Sequence, residues 1–170
     1  MSDRGKPDFP YRQHDHQVCI EECIKRAEAA CMDHNEHFTE NRRAVLELLL
    51  AGHRPLGAYE IVEQFDWKNR RPAPAQIYRA LAFLESLGLI HRIASRNAYL
   101  ACSRPGHQKG AIFLVCERCE LVAELEGTQM LTAIDNLSAS SGFVAHTHLI
   151  EVSGLCPACS DTLDFERAET

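Results

Sequence analysis

Residues 75–101 read AQIYRALAFLESLGLIHRIASRNAYLA, and this stretch decides the fold of the N-terminal half. Apolar side chains at Ile77, Leu81 and Leu84 recur at helical spacing, and Gly88 is a typical residue for ending a helix. Two short apolar runs follow, separated by a polar turn, and this pattern predicts a β-hairpin. A helix that leads directly into such a hairpin is typical of a winged helix. The two predicted strands are Leu89–Ile93 and Ala98–Ala101.

Three more helices are predicted before this stretch. The first covers about Val18–Met32, the second begins after an N-cap at Thr39, and the third covers about Ala58–Phe65. The helix of the opening stretch extends from about Ala75 to Leu87. Residues 18–101 are therefore predicted to form a winged-helix domain, preceded by a polar arm over residues 1–17.

The pattern changes after Cys102. Residues 102–110 form a predicted hinge, and residues 111–170 form a predicted second domain. Its elements are two strands, a helix with one apolar side and a third strand, which together predict a small three-stranded antiparallel sheet with a helix. The overall class is α+β. In chain order the predicted elements are Ala111–Val115, Leu121–Glu126, Thr128–Ser141 with Met130, Leu131, Ile134 and Leu137 on one side, and Phe143–Val152.

Composition and charge limit the possible functions. The chain has 170 residues, of which 45% are hydrophobic and 25% charged, as in ordinary folded proteins. The net charge of −6 is unevenly distributed, because residues 38–101 carry nine basic and six acidic groups, whereas residues 102–170 carry four and ten. The middle of the chain is therefore basic. No stretch approaches the roughly 18 apolar residues of a membrane span, and the N-terminus is polar, so we expect a cytoplasmic protein without a membrane partner.

The chain contains eight cysteines, and four of them form two C-x-x-C turns about 40 residues apart. In a reducing compartment this usage favours metal binding over disulfides. Each turn offers two thiolates to one side, so the pair can supply the tetrahedral four-sulfur set that zinc prefers in structural sites. Two redox turns, or buried free cysteines, are the alternatives. The predicted structural zinc ligands are Cys116, Cys119, Cys156 and Cys159.

Other cysteines and histidines have weaker patterns. Cys19 and Cys23 lie one helical turn apart and could join His14 or His16 in a third metal site, although small buried side chains are the favoured interpretation. The pairs His34/His37 and His146/His148 also have chelating spacing, but surface or strand histidines are favoured there. No short spacing rule joins the four residues His91, Cys102, His107 and Glu124.

The ordered set of motifs resembles the ferric uptake regulator family over about residues 20–160. The segments that carry the resemblance are Phe38-Thr-Glu-Asn-Arg-Arg-Ala-Val-Leu, Ala58-Tyr-Glu-Ile, the stretch from Ile77 to Arg92, Tyr99-Leu-Ala-Cys102, Cys116-Glu-Arg-Cys119 and Gly154-Leu-Cys156-Pro-Ala-Cys159. The sequence departs from the family pattern at Gln76-Ile77, where Thr-Val is commoner. It also departs at Glu120, where a glycine often follows the first C-x-x-C.

The resemblance implies a homodimeric, metal-dependent transcriptional repressor, which is not an enzyme and binds palindromic operator DNA. Its zinc-sensing members place the regulatory metal at the positions of His91, Cys102, His107 and Glu124, which implies two Zn²⁺ per chain and control of zinc uptake genes. A thiolate ligand at Cys102 also favours zinc over iron(II) or manganese(II). His107 lies in a loop of variable length and is the least well supported of the four.

The helix Ala75–Leu87 is expected to enter the major groove, where Arg79 can make a bidentate contact to guanine. Tyr59 and Tyr78 resemble family positions that touch base or backbone. The alternative is a solvated basic face. Candidate phosphate contacts are Arg42, Arg43, Lys68, Arg70, Arg71 and Arg96.

Three other functions are weighed against this one. A relative that senses iron, manganese or peroxide has the same fold, but the single histidine in the loop before Cys116 disfavours it. A zinc hydrolase would need Glu124 as a general base and a water as the fourth ligand, yet no H-E-x-x-H helix or nucleophile motif is present. A zinc-knuckle interaction module would have no role on DNA.

Overall fold

A computed structural model describes residues 16–52, 54–65, 73–102, 110–125 and 127–161, and it describes no side chain for His16 or Cys19. The described residues divide into two compact units, one up to Cys102 and the other from Gly110. Most of the predicted hinge 102–110 and the arm 1–17 lie outside the described residues. In the part of the chain that is described, no helix combines the length and the apolar character needed to cross a membrane.

The described part of the N-terminal unit contains four α-helices, as predicted, with small shifts at their ends. Thr39 is the N-cap of the second helix, where its side-chain oxygen accepts a hydrogen bond from the Arg42 amide. Pro74 begins the fourth helix, a position at which proline loses no hydrogen bond. Gly88 follows that helix with a φ of 65°, a conformation that suits glycine. The helices are α1 (His16–Asp33), α2 (Glu40–Leu50), α3 (Ala58–Gln64) and α4 (Pro74–Ser86).

A three-stranded antiparallel sheet completes this unit. The predicted hairpin forms between β2 (Ile90–Ile93) and β3 (Ala98–Ala101), and its turn closes through Asn97 in the left-handed conformation. A further strand that the sequence pattern does not predict, β1 (Leu56–Gly57), pairs with the other side of β3. Two residues are too short a run to show an alternating pattern. The winged-helix prediction is confirmed.

The core of this unit lies between the helices and the sheet. Ile77, Leu81 and Leu84 of α4 are fully buried, as their spacing predicted, and they belong to one apolar cluster with Leu46 and Leu49 of α2. Between these positions, Tyr78, Arg79 and Ala82 are exposed, whereas Ala80 is buried with the core. The core therefore fixes which side of α4 is available for binding.

The C-terminal unit is a three-stranded sheet with one helix. Its elements are β4 (Gly110–Cys116), β5 (Val122–Leu125), α5 (Thr128–Ser140) and β6 (His148–Gly154), with β4 in the centre of the sheet. The pair β4–β5 is antiparallel, but β6 runs parallel to β4, so the prediction of an all-antiparallel sheet is wrong for this strand.

The direction of β6 follows from where the connection begins and ends. Leu125, at the end of β5, lies beside Ile112, and His148, at the start of β6, lies beside Gly110. Both points are at the same end of the sheet, so β6 must run opposite to β5. The predicted strand Phe143–Val152 begins too early, because residues 143–147 form a connection outside the sheet.

Helix α5 has no buried residue. Leu131 and Ile134 are half-buried, whereas Met130 and Leu137, predicted on the same apolar side, are 53% and 71% exposed. The apolar stripe is therefore only partly covered within this chain.

Candidate functional site

The two C-x-x-C turns meet at one end of the C-terminal sheet. Cys116 is the last residue of β4, and the register places it beside Gly154, the last residue of β6. Because these strands are parallel, the turns that follow them lie at the same end of the sheet. The amide of Glu117 donates to the Gly154 carbonyl at 2.8 Å, which joins the two turns through the backbone.

The four cysteine sulfurs form a compact cluster in which all lie within 4.8 Å of one another. The Sγ atoms of Cys119 and Cys156 are 3.7 Å apart. A tetrahedral zinc site with Zn–S bonds of about 2.3 Å has S–S edges of roughly 3.8 Å. The predicted ligands are thus brought together at a separation that fits zinc, and their softness favours zinc over hard cations.

The electrostatics of the cluster also fit a cation. Burial opposes ionisation of Cys116, but hydrogen bonds from the backbone of Cys119, Cys156 and Arg118 outweigh it and lower the pKa of this thiol to about 6. Desolvation and hydrogen bonds to the neighbouring sulfurs raise the pKa of Cys159 to about 12 and also raise that of Cys119. The thiols compete for one negative charge, so four thiolates require a bound cation.

Glu120 closes the first of these turns. Its amide donates to the Cys116 carbonyl at 3.0 Å, and its φ of 63° lies in the left-handed region. A side chain is disfavoured in that region, which is a physical reason for a glycine there. Glu120 therefore closes the turn in a backbone conformation that is strained for a residue with a side chain.

Two residues of the second predicted metal set lie together on the wing of the N-terminal unit. His91 is opposite Leu100 in the hairpin, and the Cys102 amide donates to the Leu89 carbonyl at 2.9 Å. His91 and Cys102 are therefore diagonal neighbours on one face. A ring nitrogen of His91 and the Cys102 Sγ lie within 4.8 Å of each other, which suits two ligands of one ion.

The other two members of that set belong to the C-terminal half. Glu124 lies in β5 opposite Phe113 and is only 8% exposed, an unusual environment for a carboxylate without a functional role. His107 lies outside the described residues. The assignment of all four as ligands of one ion stays a prediction.

The cysteines of α1 fit the interpretation as small buried side chains. Cys23 and Cys31 are buried in the N-terminal unit, and the Arg26 guanidinium lies 2.6 Å from the Cys23 sulfur. Among the described side chains, neither joins a group of three potential metal ligands. In the predicted pair His146/His148, the His148 side chain contacts Asp135 at 3.1 Å. The possible partners His14, His16 and Cys19 have no described side chains.

A candidate nucleic-acid surface lies on α3, α4 and the wing. Tyr59 is 73% exposed, Tyr78 is 54% exposed, and Arg79 and Arg96 are also exposed. Large aromatic side chains exposed beside arginines suit contacts to bases and phosphates. Gln76 is used differently, since its side-chain oxygen accepts from the Ala73 amide at 3.1 Å and caps α4.

Arg42 and Arg43 make contacts within the protein instead of facing solvent freely. The Arg42 guanidinium lies over the Phe83 ring and pairs with Glu36 at 3.3 Å. Arg43 pairs with Glu28 of α1 and contacts Glu47 at 3.8 Å. These contacts disfavour their predicted role at phosphates. The remaining candidates Lys68, Arg70 and Arg71 lie outside the described residues.

Several known proteins are similar to this chain in sequence and structure. The profile of the ferric uptake regulator family matches residues 33–153. The zinc uptake regulation protein of Escherichia coli (strain K12) is 32% identical over 146 residues, which cover 84% of each protein. A solved zinc uptake regulator complexed with zinc and DNA has a TM-score of 0.80 at 28% identity, over 85% of this chain and 97% of that one. Holo XcZur has a TM-score of 0.74 at 31% identity, over 86% and 99%.

Proposed function

Because the chain belongs to the ferric uptake regulator family, we propose that it is a zinc-responsive transcriptional repressor. It binds palindromic operator DNA as a homodimer when a regulatory zinc site is filled, and it controls genes of zinc uptake. The observation that carries the proposal is the similarity, over most of both chains, to a zinc uptake regulator complexed with zinc and DNA. The chain is a regulator and not an enzyme.

Two zinc ions per chain are proposed. The structural ion is held by Cys116, Cys119, Cys156 and Cys159, whose sulfur separations fit a tetrahedral site. The second, regulatory ion is assigned to His91, Cys102, His107 and Glu124. The proximity of His91 and Cys102 on the wing supports this assignment, and the thiolate in the set favours zinc.

Zinc supplies a closed set of four bonds and no redox chemistry. The hairpin β2–β3 carries His91, is followed directly by Cys102 and itself follows α4, so these two residues connect the proposed metal site to the recognition helix. Occupancy of the regulatory site is the proposed condition for two recognition helices to fit successive major grooves of one operator. Converting a mostly incompetent population to a mostly competent one requires on the order of 5 kcal/mol of differential zinc affinity.

Recognition of DNA is assigned to the exposed side of α4. Arg79 is the proposed reader of a guanine edge, with Tyr59 and Tyr78 beside it on base or backbone and Arg96 on a phosphate. Their exposure supports this role. Replacing Arg79 by alanine is expected to cost roughly 1 to 3 kcal/mol on the cognate site and little on random DNA.

Homodimerisation is assigned to the C-terminal unit. Leu137, Phe143 and Val144 are each more than 60% exposed, and β6 forms an edge of the sheet. Exposed apolar side chains and a strand at the edge of the described sheet favour association with a second copy. Members of this family are dimers, and the apolar surface of this unit is a physical basis for the same assembly.

The test is a zinc titration of DNA binding by fluorescence anisotropy, with a duplex selected from a random pool by the zinc-loaded protein. Wild-type protein should bind only as zinc is added, and iron(II) and manganese(II) should be less effective at equal free concentration.

Cys102→Ser should remain a folded dimer but lose the zinc response. Cys31→Ser, which changes a buried cysteine outside both proposed sites, is the matched control and should respond normally. An unchanged response of Cys102→Ser defeats the assignment of the regulatory site, and failure of the wild type to select any duplex defeats the proposed function.

A further inference from the structure

Arg42 lies in the first turn of α2, which is an unfavourable position for a cation. A cation in the first turn of a helix is opposed by the dipole of that helix, and an acidic residue is favoured there. Glu40 is the acidic residue of this turn, while Arg42 follows it within the same turn. Contacts made elsewhere must therefore stabilise Arg42 in this position.

Those contacts bind three parts of the N-terminal unit together. The guanidinium carbon of Arg42 lies 3.1 Å from the centroid of the Phe83 ring, in the last turn of α4. The same guanidinium pairs with Glu36 at 3.3 Å and donates to the His37 carbonyl, both in the connection between α1 and α2. Its side chain is only 22% exposed.

Phe83 lies one helical turn after Arg79, the proposed reader of the operator, so the two positions lie close on the helix surface. Leu81 and Leu84 fix the buried side of α4 through the core. The stack on Phe83 restrains α4 from the adjacent side. A rotation of α4 that moved Arg79 would also have to move the ring away from the guanidinium.

We infer that Arg42 is a positioning residue for the recognition helix α4, which it holds through Phe83, and that it does not contact a DNA phosphate. This inference rests on the proposed function of the chain as a DNA-binding regulator. Arginine is required at this position, because its planar group can stack on a ring and donate in its own plane at the same time, whereas the lysine ammonium cannot.

The test separates geometry from charge through Arg42→Lys and Arg42→Ala, measured in the full-length, zinc-loaded protein over a range of salt concentrations. A positioning role predicts that both variants bind the selected duplex about tenfold more weakly, with an unchanged slope of log affinity against log salt. A phosphate contact predicts that Arg42→Lys retains its affinity. It also predicts that Arg42→Ala lowers the slope by about 1.8 per dimer, since each lost phosphate contact contributes about 0.9.

The matched control is Arg26→Lys, the same exchange on α1 at a side chain that contacts Cys23. Its affinity should stay within about twofold of the wild type. Phe83→Leu keeps most of the apolar volume but removes the ring face, so it should weaken binding like Arg42→Lys even if an Arg42 variant folds poorly. The double variant Arg42→Lys/Phe83→Leu should bind no more weakly than either single variant, because each substitution removes the same contact between Arg42 and Phe83.

Wild-type affinity in Arg42→Lys, a lower salt slope in Arg42→Ala, or full additivity with Phe83→Leu overturns the inference. Each of these outcomes still leaves a zinc-dependent DNA-binding protein. If the wild type itself binds no duplex, the proposed function fails first, and the two failures are therefore distinguishable.

Discussion

The two units of this protein are stabilised in different ways. Of the twelve largest fully buried side chains among the described residues, ten belong to the N-terminal unit, while Phe113 and Ile112 belong to the C-terminal unit. The C-terminal unit instead has a helix without a buried residue and a cluster of four cysteines at one end of its sheet. The difference indicates that apolar burial is the main source of stability in the first unit, whereas we expect the second unit to depend on the proposed structural zinc and on the proposed dimer.

Loss of the structural zinc should have the largest effect. Zinc binding at such sites contributes on the order of 10 kcal/mol, which exceeds the stability of a small domain. Cys116→Ser is therefore expected to unfold the C-terminal unit and abolish the dimer while the N-terminal unit stays folded. Limited proteolysis with mass spectrometry, together with zinc content, checks this outcome.

The control for Cys116→Ser is the same cysteine-to-serine exchange in the N-terminal unit. Cys31→Ser changes a buried cysteine of the N-terminal unit and should leave the zinc content and the dimer intact. A Cys116→Ser protein that stays dimeric with one zinc fewer would show that the C-terminal unit does not need its metal.

A cavity in the N-terminal core should have the next largest effect. Leu81 is fully buried in α4, so Leu81→Ala should destabilise this unit by roughly 2 to 5 kcal/mol. Chemical denaturation followed by circular dichroism measures the change. Leu87→Ala, at a half-buried position just after α4, should cost clearly less. Equal losses would mean that the core does not dominate the stability of this unit.

Charge on the apolar surface of α5 should weaken the dimer. Leu137 is 71% exposed, and Leu137→Asp is expected to raise the dimer dissociation constant roughly 100-fold, about 2.7 kcal/mol. Analytical ultracentrifugation measures the change. Asn136→Asp adds the same charge at the neighbouring exposed position and should leave the dimer unchanged. A dimer that tolerates both charges places the interface elsewhere.

The smallest expected effect is a gain of stability. Glu120 has a positive φ, and a side chain there costs roughly 1 to 2 kcal/mol, partly offset by the entropy that glycine loses on folding. Glu120→Gly should therefore stabilise the zinc-loaded C-terminal unit by about 1 kcal/mol, measured by chemical denaturation. Glu117→Gly removes a neighbouring exposed glutamate and should give no gain. If both variants are destabilised, the turn is not strained.

Local patterns predicted most of the fold and one metal site. The helices and the wing were confirmed because capping residues, periodic leucines and a polar turn act over a few residues, as at Thr39 and Leu81. The four-cysteine cluster was predicted in the same way, since each C-x-x-C turn fixes half of it. These features need little information about contacts between distant parts of the chain.

The misses required long-range information. The direction of β6 depends on the end of the sheet to which the connection after β5 returns the chain, and the local pattern of residues 148–154 does not show this. The proximity of His91 and Cys102 depends on hairpin register, which could have been deduced by pairing the two predicted strands across their turn. The stack of Arg42 on Phe83 could not be predicted from local patterns, because the two residues are 41 positions apart.

The parallel pairing of β4 with β6 also constrains the order of events during synthesis. The first two thiols of the cluster, at Cys116 and Cys119, leave the ribosome before the last two, and 37 residues separate Cys119 from Cys156. At translation rates of about 5 to 20 residues per second, roughly 2 to 7 seconds elapse between them. During that interval a nascent chain can offer an ion only two of its four bonds, so full metal capture must wait until the final strand has been made.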